Sequence, residues 1–376
     1  MKFSGFSHKL EDPPVKMSKK REIVVSNTLE IPRPSEPVII PIESILEKAP
    51  DFNKDFFRIK HKTTRFEPLD IPSQIRLIPG LTGGKEELVF QLDLGPKETV
   101  TVDLQYNTEG ADLPDYPART QSFKTWYRDG SNSAWENEIC GYRYYFGKID
   151  FFGKSFPHLC LHKLASDSYH SERYWGHNPF DVRTTSGLGG IGLVMGDKLK
   201  KCYGAPGEAP YSYTYRAHGG GPVCAGVTVR TNDPASNDFL VEASATLFNN
   251  RYENIYRATT GCEGALIAPG IRKFEDEHVT LDEDAGYLLA WGMPVEVYGT
   301  TGIAAVWNSV QYRGLFDTED VRFPLLKPGS DGMVTYLTLG IWHRHSSDQP
   351  KTMDHFINFV KELSLGFRNP VNVEIK

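Results

Sequence analysis

Cysteine is scarce in this sequence, and basic residues do not cluster. The chain of 376 residues has five cysteines and no C-x-x-C pair, so neither a disulfide framework nor a thiolate zinc site is indicated. We expect reduced, mostly buried thiols. The formal net charge is −6, and phosphate contacts need a clustered basic surface. A nucleic-acid partner is therefore not expected.

Long apolar runs and the common cofactor motifs are also missing. No run of 18 apolar residues occurs, which argues against a membrane partner. The N-terminal segment lacks the apolar core of a signal peptide, so we expect a cytoplasmic protein as written, unless an export signal has been trimmed. No P-loop, G-x-S-x-G or H-E-x-x-H sequence is present, and we expect no cofactor. A metal site on one strand face with His158, Cys160 and His162 is an alternative without an identifiable fourth ligand.

The sequence does contain many segments with the residue pattern of β-strands. Aromatic residues make up 12% of the chain, and segments such as 87–94, 99–106, 239–248 and 334–342 alternate or cluster apolar residues between turn signals. One helix is predicted near 350–365 from its apolar spacing. We therefore expect an all-β, large two-sheet antiparallel sandwich with one C-terminal helix. Residues 1–20 are expected to form a flexible arm and 21–376 a single domain, with 22–110 as a flanking strand module.

The densest polar and aromatic stretch runs from Trp135 to Lys154. If residues 135–146 form one strand, alternation divides its polar side chains between two faces. Asn137, Arg143 and Tyr145 would lie on one face, and Glu136, Glu138, Tyr142 and Tyr144 on the other. Since half-buried strands usually keep one face apolar, this pattern indicates either a strand that lines a cleft or a solvated edge strand.

A second polar segment, residues 168–181, has no periodic pattern and is predicted to be a loop. Loops on rigid scaffolds often carry catalytic groups, and histidine titrates near neutral pH. His170 is therefore a candidate general acid or base, with Tyr169 beside it; the alternative is a structural hydrogen-bonding histidine. Trp175 and Asp181 complete the segment's candidates, Trp175 for substrate binding and Asp181 for catalysis.

The order W-E-N-E, G-Y-R-Y-Y, D-F-F-G-K, then Y-H, W-G and D, then G-L-G-G, resembles a mainly bacterial family known as domain of unknown function 4861. The matching block covers 135–192, with a weaker echo at Tyr215, Arg216, Gly221 and Pro222. In several members a Glu follows Y-H directly, whereas here Ser171 intervenes before Glu172. The resemblance implies a β-supersandwich like that of galactose mutarotases and several polysaccharide lyases, and a context of polysaccharide degradation.

These features favour a carbohydrate-active enzyme whose partner is an oligosaccharide or polysaccharide fragment. Our first hypothesis is a lyase that cleaves uronic-acid-containing oligosaccharides by β-elimination, and the alternatives are a glycoside hydrolase, a mutarotase-like epimerase and a non-catalytic carbohydrate-binding protein. The candidate catalytic residues are His170, Tyr169, Tyr142, Arg143 and Asp181. The candidate substrate-binding residues are Trp135, Glu136, Asn137, Glu138, Tyr145, Trp175 and Arg216.

Overall fold

The computed structural model describes residues 16–61, 69–78, 84–127, 130–163, 173–204, 211–235, 238–294, 299–344 and 350–376. Most of the predicted N-terminal arm lies outside these ranges.

The N-terminal part forms a module with its own apolar core. Its elements are β1 (Lys19–Ser26), β2 (Arg33–Pro41), α1 (Ile42–Lys48), β3 (Phe57–His61), β4 (Leu69–Ile71), β5 (Ser73–Ile78), β6 (Lys85–Leu94) and β7 (Thr99–Tyr106). Strands β1, β7, β3 and β4 are neighbours in one sheet, and β2, β6 and β5 form another. The core between them includes Ile23, Val102 and Phe90, none of which is exposed.

The middle of the chain forms most of one layer of the sandwich. Its strands are β8 (Thr120–Tyr127), β9 (Gly130–Asn137), β10 (Cys140–Tyr145), β11 (Lys148–Lys154), β12 (Gly176–His177), β13 (Leu188–Met195) and β14 (Lys198–Lys201). Strands β8 to β12 make one antiparallel sheet in sequence order. A bridge between Ile149 and Gly187 joins this sheet to the one that contains β13.

The remaining elements complete both layers. They are β15 (Ser212–Ala217), β16 (Cys224–Asp233), β17 (Asp238–Phe248), β18 (Glu253–Thr260), β19 (Leu266–Arg272), β20 (Glu277–Asp282), β21 (Tyr287–Gly292), β22 (Thr301–Trp307), β23 (Tyr312–Asp317), β24 (Val321–Leu326), β25 (Met333–Trp342), α2 (Met353–Arg368) and β26 (Asn372–Ile375). Among the described residues, eight strands form a sheet in the order β15-β16-β17-β18-β25-β22-β21-β20, while β14, β13, β19, β24 and β23 form a sheet beside β8–β12. Strand β26 returns to pair with β1.

The main core lies between the eight-stranded sheet and the two sheets opposite it. It includes Trp135 and Tyr142 from one layer and the cross-strand pair Tyr256 and Tyr336 from the other. The two tyrosine rings stack with their centroids 4.9 Å apart, a contact that adds to the free energy of apolar burial. The prediction of an all-β, antiparallel, two-layer sandwich is confirmed.

The predicted C-terminal helix is α2. Thr352 accepts a hydrogen bond from the His355 amide at its N-terminus, and Phe356 and Val360 face the core. This burial explains the apolar spacing seen in the sequence. The seven-residue helix α1 was not predicted. Neither described helix has the length and apolar character needed to cross a membrane.

The prediction of a single strand over residues 135–146 is wrong. Strand β9 ends at Asn137 and β10 begins at Cys140, so the segment is a hairpin. The side-chain oxygen of Asn137 accepts hydrogen bonds from the amides of Ile139 and Cys140, both at 2.9 Å. These contacts stabilise the tight turn, as Asn side chains often do.

Candidate functional site

The side of the β8–β12 sheet that faces away from the main core carries charged and aromatic groups. Alternation along the hairpins puts Trp135, Tyr142 and Tyr144 into the core and turns their neighbours to the opposite side. We call that opposite side the polar face. It is formed by Gln121, Phe123, Glu136, Arg143, Tyr145, Lys148, Asp150, Phe152 and Lys154.

A two-residue turn sets the register of this face. Phe146 and Gly147, which connect β10 to β11, have positive φ angles of 49° and 74°, as a type I′ hairpin turn requires. The strands leave this turn with Tyr145 opposite Lys148 and Arg143 opposite Asp150. The turn therefore sets two cross-strand pairs, Tyr145 with Lys148 and Arg143 with Asp150.

Arg143 and Lys148 surround the Tyr145 ring. The guanidinium carbon of Arg143 lies 4.9 Å from the Tyr145 ring centroid and 5.6 Å from that of Phe152. Arg143 also forms a buried ion pair with Asp150. The Lys148 ammonium lies 5.8 Å from the Tyr145 centroid and donates to the backbone oxygen of Arg183 at 2.8 Å. Tyr145 itself is half-buried and packs in part against residues of the main core cluster, so one portion of a phenol ring with two cations against it remains accessible.

Glu136 and Lys154 form a second ion pair on this face. Glu136 also accepts hydrogen bonds from the amides of Cys160 and Leu161, at 3.1 and 2.8 Å. Lys154 donates to the backbone oxygens of Asn137 and His158, both at 2.6 Å. Because these contacts all hold the backbone of residues 158–161 against β9, we assign this pair a structural role.

Trp135 and Tyr142, two of the sequence-derived candidates, lie on the core side. The Trp135 indole donates to the side-chain oxygen of Asn254 at 2.6 Å. The Tyr142 hydroxyl donates to the Tyr252 carbonyl at 2.5 Å and accepts from the Gly340 amide at 3.1 Å. Burial raises the Tyr142 pKa well above its ordinary value. Neither side chain reaches the polar face.

The other candidates are distributed around the sheet. Asn137 donates to the carbonyls of Phe248 and Arg251, both at 2.7 Å. Glu138 pairs with Arg119 at 2.5 Å. The remaining three are placed as follows: Trp175 packs on Phe152, Asp181 pairs with the exposed Arg183 at 3.0 Å, and Arg216 lines a separate cavity.

The cavity beside Arg216 has a volume of about 470 Å³ and lies between β5 and the β15–β16 edge of the sandwich. His218 is also in its wall and contacts the Thr228 hydroxyl at 2.7 Å. Burial, and then the charges of Arg76 and Arg216, lower the His218 pKa to about 4. The structure thus brings Glu136, Arg143 and Tyr145 together on the polar face and places Arg216 elsewhere.

Two of the candidates, Tyr169 and His170, lie outside the described residues. The alternative interpretation of His158, Cys160 and His162 as one strand face is wrong, because residues 158–160 are irregular and Leu161–Lys163 form a 3₁₀ turn. Within the described ranges no group of three or more His, Cys, Asp or Glu side chains is arranged to hold a metal ion.

Comparison with known families confirms the resemblance that residues 135–192 indicated. The model of the family described as "Domain of unknown function (DUF4861)" matches residues 25–373. The chain belongs to this family. A comparison with curated proteins found no match.

Solved structures with a similar fold include two large proteins from Enterococcus faecalis. One is described as a protein in the glycosyl hydrolase family 38, with 9% sequence identity and a TM-score of 0.50; 96% of this chain and 48% of that chain are covered. The other is described as an α-mannosidase, with 8% identity and a TM-score of 0.51; 96% of this chain and 46% of that chain are covered. This DUF4861 chain therefore spans about half the length of these structures and shares their fold over that part.

Lys148 and Arg272, at or near the polar face, were not among the sequence-derived site residues, and Asp150 was a candidate only for the carboxyl pair of a glycoside hydrolase. Lys148 and Asp150 had a local signal, since the glycine of F-G between Y-R-Y-Y and K-I-D-F allows a two-residue hairpin that pairs them with Tyr145 and Arg143. Arg272 had none. It ends β19, distant in sequence, and reaches this region only because β19 pairs with β13.

Proposed function

We propose that this DUF4861 protein is a carbohydrate-active enzyme that cleaves uronic-acid-containing oligosaccharides by β-elimination at the polar face. The observation that carries the proposal is the half-buried Tyr145 ring with the Arg143 and Lys148 cations against it. Aromatic rings with polar groups around them suit polyhydroxylated ligands, and buried cations suit an acidic one.

The reaction needs three groups. A cation neutralises the uronate carboxylate and stabilises the negative charge that develops when C5 loses its proton. A base takes the C5 proton, and an acid returns a proton to the glycosidic oxygen as the C4–O bond breaks and the C4–C5 double bond forms. No oxidant or other co-reactant is required.

In this proposal Arg143 or Lys148 stabilises the developing charge and Tyr145 transfers a proton. Tyr142 is less suited to the role assigned from the sequence, because its hydroxyl is enclosed between two backbone groups. His170 and Tyr169 remain the proposed partners in proton transfer, on the sequence argument alone.

A glycoside hydrolase is the second candidate function, favoured by the fold shared with the two Enterococcus faecalis structures. Such an enzyme needs one protonated carboxyl group as general acid. Glu136, Glu138, Asp150 and Asp181 are each engaged by a Lys or Arg side chain of the chain itself, so none of the four is a carboxyl group left free for a glycosidic oxygen. This arrangement supports the lyase over the hydrolase.

The test is incubation with a panel of uronate-containing and neutral oligosaccharides, following ultraviolet absorbance and new reducing ends together. Elimination gives an absorbance rise from the new double bond, whereas hydrolysis gives reducing ends without it. Arg143→Met, compared at equal folded fraction, should abolish the absorbance rise, while Arg313→Met, which removes exposed hydrogen bonds to the Val310 and Tyr312 carbonyls, should leave it unchanged. Reducing ends without absorbance on the same substrates would replace the lyase with the hydrolase.

A further inference from the structure

Arg272 is a buried arginine beside the polar face. It is the last residue of β19 and is only 5% exposed. Its guanidinium carbon lies 5.7 Å from the centroid of the buried Phe180 ring. Its backbone amide donates to Gly187, the residue that bridges to Ile149 on β11. Arg272 therefore lies where the two sheets of this layer join.

The guanidinium of Arg272 has no acidic partner among the described residues. No carboxylate there lies within ion-pair distance, and its Nη1 atom is buried without a hydrogen-bond acceptor. Other buried arginines differ: Arg33 pairs with Glu36, and Arg76 pairs with Glu87. Since removing a charge from water is costly unless it is paired, an unpaired buried guanidinium indicates a position that an anion from outside the chain fills.

The acidic residues nearest to Arg272 do not form an ion pair with its guanidinium. Burial lowers the pKa of Arg272, and Asp181 opposes this effect, but the Asp181 carboxylate is engaged by Arg183 at 3.0 Å. Asp320 is exposed and also acts on that pKa from beyond ion-pair distance. The Arg183 cation acts in the opposite direction to these two carboxylates and lowers the Arg272 pKa. Tyr145 of the polar face belongs to the same set of neighbours, which connects Arg272 to the proposed site.

We propose that Arg272 binds the carboxylate group of an acidic sugar, through the paired N–H groups of its guanidinium. A planar guanidinium fork matches a carboxylate in bidentate geometry, and such charge-assisted hydrogen bonds are among the strongest in proteins. The sugar as the carrier of this carboxylate rests on the proposed function. The need for an anion rests on the unpaired guanidinium alone.

The experiment measures the melting temperature against sodium glucuronate, glucose and sodium sulfate at constant ionic strength, in the wild type, Arg272→Met and Arg33→Met. Glucuronate should raise the wild-type melting temperature because it binds the folded state, and glucose should not. Arg272→Met should melt no lower than the wild type, since it removes an unpaired charge, and should weaken glucuronate binding by about 10-fold or more. Arg33→Met should melt lower, because it removes the ion pair with Glu36 and the hydrogen bond to the Gly366 carbonyl, yet keep the glucuronate response.

Three results would overturn the inference: no glucuronate response in the wild type, an equal response in Arg272→Met, or a response to sulfate alone. If Arg272→Met does not fold, Arg272→Lys keeps the charge without the fork and should show weakened binding. The inference and the proposed function can fail separately. Glucuronate binding through Arg272 without elimination on any uronate substrate would overturn only the lyase, whereas elimination with an unchanged KM in Arg272→Met would overturn only the role of Arg272.

Discussion

Glu136 and Lys154 form an ion pair in which neither side chain is exposed to solvent. The same carboxylate accepts two backbone amides, and the same ammonium donates to two backbone carbonyls. Burying two charges is offset only when such contacts are complete. The pair therefore attaches the 158–161 segment to the sheet that carries the polar face, and removing one partner leaves the other charge buried.

We predict that Glu136→Gln or Lys154→Met alone lowers the free energy of unfolding by about 3–5 kcal/mol. The double variant should lose less than the sum of the two, because it leaves no unpaired charge. Urea denaturation measures all three. Glu86→Gln, at the exposed pair with Lys54, is the control and should change stability by less than about 1 kcal/mol. Additive losses would show that the two side chains stabilise the fold independently.

Tyr142 and Tyr145 should respond differently to loss of the hydroxyl. We predict that Tyr145→Phe lowers turnover by about 10²- to 10⁴-fold with little change in melting temperature, as for a proton-transfer group. Tyr142→Phe should destabilise the protein by about 1–3 kcal/mol, because it leaves the Gly340 amide unsatisfied, and should reduce activity only with the folded fraction. Turnover on a uronate substrate and thermal melting, measured together, separate the two. Near-normal turnover in a stable Tyr145→Phe protein would remove Tyr145 from the mechanism.

His170 is predicted to be the most sensitive position of the 168–181 segment. His170→Ala should lower turnover by about 10²- to 10⁴-fold while the melting temperature changes little, if the imidazole transfers a proton. A structural histidine would instead leave its partners unpaired and cost about 1–3 kcal/mol of stability. Steady-state kinetics and melting on His170→Ala, with Tyr169→Phe beside it, decide between these roles.

The sequence predicted the architecture better than the site. Segments with alternating apolar residues, such as 99–106, form strands because one face of each is buried. Residues 353–363 form part of α2 because their apolar spacing places one helix face in the core. The break at Glu138 was missed because apolar and aromatic residues continue on both sides of the turn. The polar face itself depends on strand pairing, and Arg272 joins it through β19, which no local pattern reveals.

His218 should make stability depend on pH. Its folded pKa is about 4, against an ordinary value of 6.5, chiefly because it is buried. Between these values the unfolded chain binds a proton that the folded protein does not, so this contribution to stability is complete above about pH 6.5 and is lost as the pH falls toward 4. We predict that the wild type loses stability relative to His218→Gln over this interval, by no more than about 1.4 kcal/mol per pH unit. Urea denaturation of both proteins at pH 4, 5, 6 and 7 measures the difference, and parallel pH profiles would contradict the prediction.

Gly187 is required where the two sheets of this layer join. It has a φ of +71°, and a Cβ there would collide with the Ile149 carbonyl oxygen. Gly196 has a similar φ of +60°, but a Cβ there would meet nothing within 4 Å. Both Gly→Ala substitutions incur a backbone cost of about 1–2 kcal/mol for the left-handed conformation, and only the first adds a steric clash, which typically costs about 1–3 kcal/mol more. We therefore predict that Gly187→Ala is the more destabilising of the two in urea denaturation. Because Arg272 donates its amide to Gly187, Gly187→Ala should also weaken glucuronate binding, whereas Gly196→Ala should not. Equal losses of stability in the two variants would show that the backbone at this junction shifts to accommodate the Cβ with no measurable loss of free energy of unfolding.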